Sequence, residues 1–585
     1  MPLEIVNERV ARWEIREIAV VGPGIVGMPM AALLARARVR EGTDTPARVT
    51  VIQRNSPTSG WKVAAINQGR SPIGGVEPGL DAIVRETATA GLLRASHDYQ
   101  AAREADVVLV CVQTDKDGLE PDYGPLYESL DRLGPALAAR PAGNLPLVIF
   151  ESTLAPSSMA TVIRERFARH GLEEGRDVLL GNSPNRVMPG RLVERVAASD
   201  KLAGGLSPAT PELIKRLYDR IVTRGTVHPT NSLTAEVVKT LENAYRDVRI
   251  AFSAEVARFC DDSGIDFYQV RQAVNDRLQQ TDRASKDPNA VPSGGLLIPT
   301  VGVGGHCLPK DGILLYWRWL ESGRPDDASL ILAARTINDE SPAETVRMIR
   351  RSFGGIRGRR ITLFGTAYRF NSEDTRNSPT LTLAELLLDQ GCEVLLHDPF
   401  VKPDDQNLVR RGLESRFTRD FDAALTHAEL AVVAVAHAEY LERLPRAPGV
   451  RRLTGLVDGC NLFAPGVFDG VPIGLAGIGR GQRLPWPKLV AAVHDDFRRM
   501  ERGVANELVG LIDFLNARYA ATPFERVRFR DVQTLAGTCV TGCVIADPGP
   551  TVPEDSAPPF HSRLAARAVA AALNDPPLEV GTNPA

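Results

Sequence analysis

The sequence predicts an α/β protein with two doubly wound parallel sheets joined by a long central helix, and a helical C-terminal extension. Three observations predict it. The apolar run IAVV (18–21) leads through GPGIVG into the alanine-rich MPMAALLARARV, the strand, tight turn and helix that open a βαβ unit. Apolar strand-length runs then alternate with helical stretches, as a parallel sheet covered on both faces requires. A second strand–turn–helix pattern begins at RRITLFGTAYRF (359–370), beyond a long proline-free stretch.

Taken in order, RVTVI (48–52) supplies the second strand, and ADVVLVCV (105–112) and LPLVIFEST (145–153) supply further strands that end in polar residues. From Leu233 the sequence TAEVVKTLENAYRDVRIAFSAEVARFCDDSG predicts one helix ending at Gly264. In the second α/β region, TLTLAELLLDQG reads as a helix, and CEVLLHDP and AELAVVAVAH (428–437) as strands. Past 485, PKLVAAVHDDFRRMERGVANELVGLIDFLNARY predicts a further helix. DPGPTVPEDSAPP (547–559), rich in proline and acid, reads as a flexible linker.

A chain of 585 residues is long enough for two to four domains. A net charge of -3 gives no electrostatic footprint for nucleic acid or an anionic membrane. No long apolar run and a charged N-terminus predict a cytoplasmic protein without a membrane span. Seven cysteines, an odd number, do not form a disulfide framework, and Cys539 with Cys543 supplies only half a zinc set, so no metal is expected.

Gly22, Gly24 and Gly27 fit GxGxxG between a strand and a helix, with Ile25 and Val26 inside the turn. The first glycine permits the tight turn, the second the approach of a pyrophosphate, and the third close packing of helix on strand. The expected ligand is a dinucleotide. The second strand ends in Gln53 and Arg54 rather than the acid that binds a ribose 2′-hydroxyl in NAD sites. NAD is the expected cofactor, and NADP stays open because Arg54 can meet a 2′-phosphate.

Residues 301–312 read VGVGGHCLPKDG. Cys307 follows two glycines that bare the backbone and precedes Lys310, whose charge favours a thiolate. The apolar segment GILLYWRWL after Asp311 is expected to be a helix whose start faces the thiol. A buried cysteine in a turn is the plainer reading of the same residues.

GVGGHCLPKD resembles the catalytic-cysteine motif of the UDP-glucose and UDP-N-acetylmannosamine dehydrogenases. Further stretches agree in order: GPGIVGMPMA, VEPGL (76–80), FESTLAP (150–156), SPNRVMPGR (183–191), AEVVKTLENAY (235–245), GTAYRFNSEDTRNSP (365–379) and HDPFV (397–401). The resemblance implies two Rossmann-like domains with reaction in the cleft between them, and a homodimer through the central helix. It also implies NAD-dependent four-electron oxidation of a UDP-sugar C6 alcohol to the acid, with Cys307 carrying a thiohemiacetal and then a thioester. The boundaries expected on this reading are a tail over 1–17, an NAD(P) domain over 18–210, a central domain over 211–340, a UDP-sugar domain over 341–485 and the extension over 486–585.

Carried over by position, Lys239 and Asn243 line the reacting carbon, one turn apart on a helix face. Asp311 works with the lysine, and Thr153 positions water. Thr114, Glu151, Lys310 and Arg376 join Gly22 to Gly27, Gln53 and Arg54 on the cofactor side. Asn185, Arg186, Val301, Gly302, Gly304, Tyr368 and Arg369 fall on the sugar nucleotide, Arg369 standing where the family has lysine. The chain departs from the family at Asn185, where a glutamate is the acid/base for thioester breakdown, and an amide accepts no proton at neutral pH. Oxidation that stops early and a non-catalytic sugar-nucleotide-binding protein are the alternatives. GGHC resembles the N-acetylhexosamine branch and PKD the glucose branch, which leaves the sugar undecided.

Overall fold

The computed structural model describes residues 15–37, 46–75, 77–140, 145–187, 190–279, 295–323, 329–539, 543–549 and 562–567. Val76 of the VEPGL motif and most of the predicted linker, 550–559, lie outside the described residues. The chain divides into two units. One comprises residues 1–242, 313–324 and 508–544; the other comprises 243–312, 325–507 and 545–585.

Among the described residues the first unit is built on ten strands. They are β1 (Glu17–Val21), β2 (Arg48–Ile52), β3 (Leu93–Ser96), β4 (Val107–Val110), β5 (Asp115–Asp117), β6 (Glu120–Asp122), β7 (Leu147–Phe150), β8 (Leu179–Asn182), β9 (Lys201–Gly205) and β10 (Val227–Asn231). Eight form one sheet in the order β10-β9-β8-β7-β4-β1-β2-β3, while β5 and β6 pair as a hairpin. Every neighbouring pair in the large sheet is parallel except β8 with β9. Successive side chains of a strand point to opposite faces, so Val20, Leu109 and Ile149 enter one core and Val21, Val110 and Phe150 the other. Burial on both faces is why these strands read as unbroken apolar runs.

The second unit repeats the plan. Strands β11 (Arg360–Phe364), β12 (Glu393–His397), β13 (Phe417–Thr418), β14 (Leu430–Val433), β15 (Gly455–Asp458) and β16 (Gly474–Gly477) form a wholly parallel sheet, ordered β13-β12-β11-β14-β15-β16. Strand order reverses beside β1 in the first sheet and beside β11 in the second, where doubly wound folds take their ligands.

The predicted long helix runs Ser232–Ser263. It stops where the sequence said: Gly264 adopts φ 66°, and the Ile265 N–H returns to the Cys260 carbonyl at 2.8 Å, a Schellman-type closure that favours glycine. Its buried residues fall on every face, among them Val238, Leu241, Tyr245, Val248, Phe252 and Val256. In the second unit part of this covering is the C-terminal helix Pro487–Tyr519. Phe497 meets Phe252 edge to face at 5.6 Å, and Tyr245 donates to Glu501 at 3.1 Å. Phe252 and Tyr245 are thus covered from within the chain.

Leu489, Val493, Phe497, Met500, Val504, Leu508, Leu511 and Leu515 are all buried, at spacings of four and three. That seam makes Pro487–Tyr519 a packed element of the fold rather than an appendage. No helix among the described residues is long and apolar enough to cross a membrane.

Candidate active site

The glycine turn of the first unit has the shape its sequence demands. Gly22 adopts φ 93°, and a Cβ there would lie 2.9 Å from the Cys111 carbonyl oxygen. A Cβ on Gly27 would lie 2.1 Å from the Gly22 oxygen, whereas one on Gly24 would meet nothing within 4 Å. The middle glycine thus faces open space. Helix Gly27–Arg36 starts without a side-chain cap at Val26 or an acid in its first turn, and Ile25 is exposed. An uncapped helix start beside bare backbone suits a pyrophosphate.

At the end of β2 the Gln53 amide donates to Ser59 at 2.9 Å. Arg54 pairs with Glu128 at 2.6 Å, so its charge is already matched. Beyond β4 and β7, Thr114 donates its hydroxyl proton to the Thr153 carbonyl at 2.7 Å and ties the two strand ends together.

Glu151 is buried, taking the Lys201 ammonium at 2.7 Å on one oxygen and the Tyr218 hydroxyl on the other. Lys201 also donates to the Ser183 carbonyl at 3.0 Å, bracing the loop that carries Asn185. Asn185 accepts the Val187 N–H at 2.8 Å. The Arg186 guanidinium, expected at the sugar nucleotide, is instead turned to Glu242, Thr538 and Leu535. The sequence does not single out Lys201, Tyr218 or Glu242, because nothing local marks a partner dozens of residues away.

In the second unit the Cys307 carbonyl accepts the N–H groups of Lys310 at 3.2 Å and Asp311 at 2.9 Å. The helix is Leu308–Glu321, starting directly after the cysteine rather than after Asp311 as expected. The thiol therefore stands at the positive end of a helix. All seven cysteines are described, and Cys307 is the exposed one. Burial pushes the thiols of Cys111, Cys260, Cys392 and Cys460 up.

The loop around Cys307 is clamped to residues 368–379. Gly305 donates to the Arg376 carbonyl at 2.8 Å, and Asn377 donates its amide to the Gly305 carbonyl at 3.0 Å. Gly302 adopts φ 154°, and a Cβ there would lie 2.7 Å from Pro379. Val301 turns its side chain into the apolar core, which leaves its backbone for any ligand.

Tyr368 packs against Gly304 and Gly305. Burial, then Asp374 and Cys307, raise its hydroxyl to about 12, so it is a neutral donor. Arg376 is gripped by Asp374 through two N–H groups. That hydrogen bonding, with smaller contributions from neighbours that include Cys307, raises its affinity for the proton. Arg369 lies 5.3 Å from the Phe370 ring.

Behind the cysteine, Lys310 and Asp311 are fully buried, with 2.8 Å between Nζ and Oδ1. Asn243 donates Nδ2 to the other Asp311 oxygen at 2.6 Å. Asn243 lies one turn beyond Lys239 on the Ser232–Ser263 helix, and Lys239 is 7% exposed.

Family models match in sequence order. The NAD binding domain of the UDP-glucose/GDP-mannose dehydrogenase family matches residues 16–222, its central domain 233–340 and its UDP binding domain 362–465. A UDP-N-acetyl-D-mannosamine dehydrogenase of Pyrococcus horikoshii is 30% identical over 474 residues, 79% of this chain and 99% of the relative. An NDP-N-acetyl-D-galactosaminuronic acid dehydrogenase of Ralstonia nicotianae is 30% identical over 74% of this chain and 93% of its own. The crystal structure of an NDP-N-acetyl-D-galactosaminuronic acid dehydrogenase from Methanosarcina mazei superposes with TM-score 0.65 at 30% identity, covering 81% of this chain and 98% of that one. With its glycine turn, its exposed helix-start cysteine and all three domain types present in order, the chain belongs to the UDP-glucose/GDP-mannose dehydrogenase family.

Proposed function

We propose that the protein is an NAD-dependent nucleotide-sugar 6-dehydrogenase that oxidises the C6 alcohol of a UDP-hexose or UDP-N-acetylhexosamine to the uronic acid. The observation that carries this reading is Cys307: one exposed thiol among seven, at a helix start, braced by the buried Lys310–Asp311–Asn243 network. The N-acetylhexosamine branch is favoured, since the relatives named above act on N-acetylated sugars. NAD is favoured over NADP by the Arg54–Glu128 pair, which a 2′-phosphate would have to break.

Gly22, Gly24 and Gly27 hold the pyrophosphate, with Ile25 and Val26 beside it, Gln53 toward the ribose, and Thr114, Glu151, Lys310 and Arg376 supporting the cofactor side. Bound nicotinamide supplies hydride acceptance, twice per sugar. Asn185, Arg186, the backbone of Val301, Gly302 and Gly304, and Tyr368 with Arg369 form or support the sugar-nucleotide site in this reading. Asp311, assisted by Lys239, takes the proton of the C6 hydroxyl as the alcohol becomes the aldehyde. The Cys307 thiolate then adds to the aldehyde carbon; the C–S bond forms, the carbonyl π bond breaks, and the oxygen is met by Lys239 and Asn243. Oxidation of this thiohemiacetal leaves a thioester. Water positioned by Thr153 adds to its carbonyl, the C–S bond breaks, and the acid and the thiolate separate.

Counting reduced cofactor per sugar, over a panel of UDP-sugars with NAD and NADP, tests the reading. Two per sugar supports it. The Asn185 amide, held by the Val187 N–H, favours a second reading in which acid release is slow and one equivalent appears first. Cys307→Ser is expected to form no acid while retaining aldehyde reduction; undiminished acid formation by that variant would overturn the covalent route.

A further inference from the structure

Arg186 and Glu242 form a buried pair, each side chain 3% exposed. All five guanidinium N–H groups have acceptors. Nε donates to Glu242 Oε2 at 3.2 Å. One terminal nitrogen donates to the other Glu242 oxygen and to the Leu535 carbonyl at 2.9 Å. Its twin donates to the Asp200 carbonyl at 3.4 Å and to the Thr538 hydroxyl at 2.8 Å. Thr538 passes its own proton to the Leu535 carbonyl at 2.7 Å, so its oxygen is available to accept.

Two of these acceptors belong to the C-terminal extension. They lie at the end of helix Phe529–Gly537, whose last carbonyls carry partial negative charge and favour a cation. The matched family domains end at residue 465, far short of it. On the other side, Glu242 lies between Lys239 and Asn243 on one helix, and Arg186 follows Asn185. A fork that joins the Asn185 loop to the Lys239 helix is thus closed by residues outside the matched family domains.

We propose that Thr538 and the Leu535 carbonyl are positioning groups for the reaction, holding Arg186 so that the Arg186–Glu242 pair fixes both the Lys239 helix face and the Asn185 loop. Without the hydroxyl, one N–H of a buried guanidinium loses its acceptor, and the planar fork must turn to find another. For its kinetic effect the proposal rests on the dehydrogenase reading; the clamp itself does not.

The test compares Thr538→Val, which keeps shape and removes the hydrogen bond, with Thr538→Ser, both in the full chain. Amide hydrogen exchange at residues 236–242 and 183–187 is expected to quicken in the valine variant and to return to wild-type rates in the serine variant. The valine variant should also lose about tenfold in kcat while KM for NAD stays within about twofold, and the serine variant should recover it. Unchanged exchange in Thr538→Val overturns the clamp. A kcat that falls only with the folded fraction, measured by near-UV circular dichroism, overturns the positioning role. Should the wild-type chain reduce no nicotinamide with any UDP-sugar, the dehydrogenase reading and the kinetic role fall together, while the exchange measurement still decides the clamp.

Discussion

Asp311 and Asn243 meet at 2.6 Å, the amide of one donating to the carboxylate of the other, while the second carboxylate oxygen takes the buried Lys310 ammonium at 2.8 Å. Three polar side chains from two helices thus form one network immediately behind Cys307. Asn243 and Lys310 each depend on Asp311 for part of their pairing.

Asp311→Asn removes the charge that compensates Lys310, whose side chain is 2% exposed. Breaking a buried pair from one side is expected to cost about 3–5 kcal/mol of stability. Thermal unfolding of this variant and of Asp311→Asn with Lys310→Met checks it. The double variant should regain part of the loss; equal melting temperatures in wild type and Asp311→Asn would contradict a structural role for the pair.

Asn185→Glu restores a titratable group where the family carries one. Rapid-quench measurement of acid release should show it accelerated by about a hundredfold, the lower end of what a positioned acid–base group contributes. In the native chain Glu151 holds Lys201 on one oxygen and Tyr218 on the other. An unchanged release rate in the glutamate variant would show that water addition does not limit turnover.

Gly304→Ala places a methyl group 2.6 Å from Tyr368 Cβ and 2.7 Å from the Asn377 carbonyl oxygen. Neither is the loose end of a side chain, so the cysteine loop must part from residues 368–377. Turnover is expected to fall by about a hundredfold or more, with NADH binding, followed by the fluorescence of the reduced nicotinamide, unaltered at the glycine turn of the first unit.

Stability should decline as pH rises from weakly acidic to weakly basic. Burial raises Asp247 to about 6, Glu174 and Asp261 to about 7 and Glu236 to about 8. The folded chain keeps protons that the unfolded chain releases above about pH 4. Fewer protons on the unfolded state mean that the unfolding free energy falls with pH across about 4 to 8. Asp398 works oppositely: burial raises it, but His437 and backbone N–H groups bring it below its ordinary value, and its contribution is lost only in stronger acid. Calorimetry at pH 5.5 and 8 should give the higher melting temperature at 5.5, and the reverse order would contradict the assignment.

The parts legible in the sequence were those written in local pattern. GPGIVG betrays its turn because strand, glycines and helix are contiguous, and Gly264 marks a helix end by its own backbone freedom. The strands β9 and β10 were missed, since KLAGG and VHPTN carry glycine, proline and a buried lysine where an apolar run is expected. Lys201 is there to meet Glu151, a partner fifty residues away. Arg186 shows the same limit: its motif position pointed to a ligand, but Glu242 and Thr538, which occupy its N–H groups, are distant in the chain. Pairing across such separations is decided by the fold, which no single window of residues contains.

Four cysteines are buried and two half-buried, which leaves Cys307 as the one exposed chemical handle. On the proposed covalent route, a stoichiometric alkylating reagent would tag and poison the same sulfur, so one measurement would count working molecules and silence them. Thiol oxidation is accordingly expected to begin at that one atom.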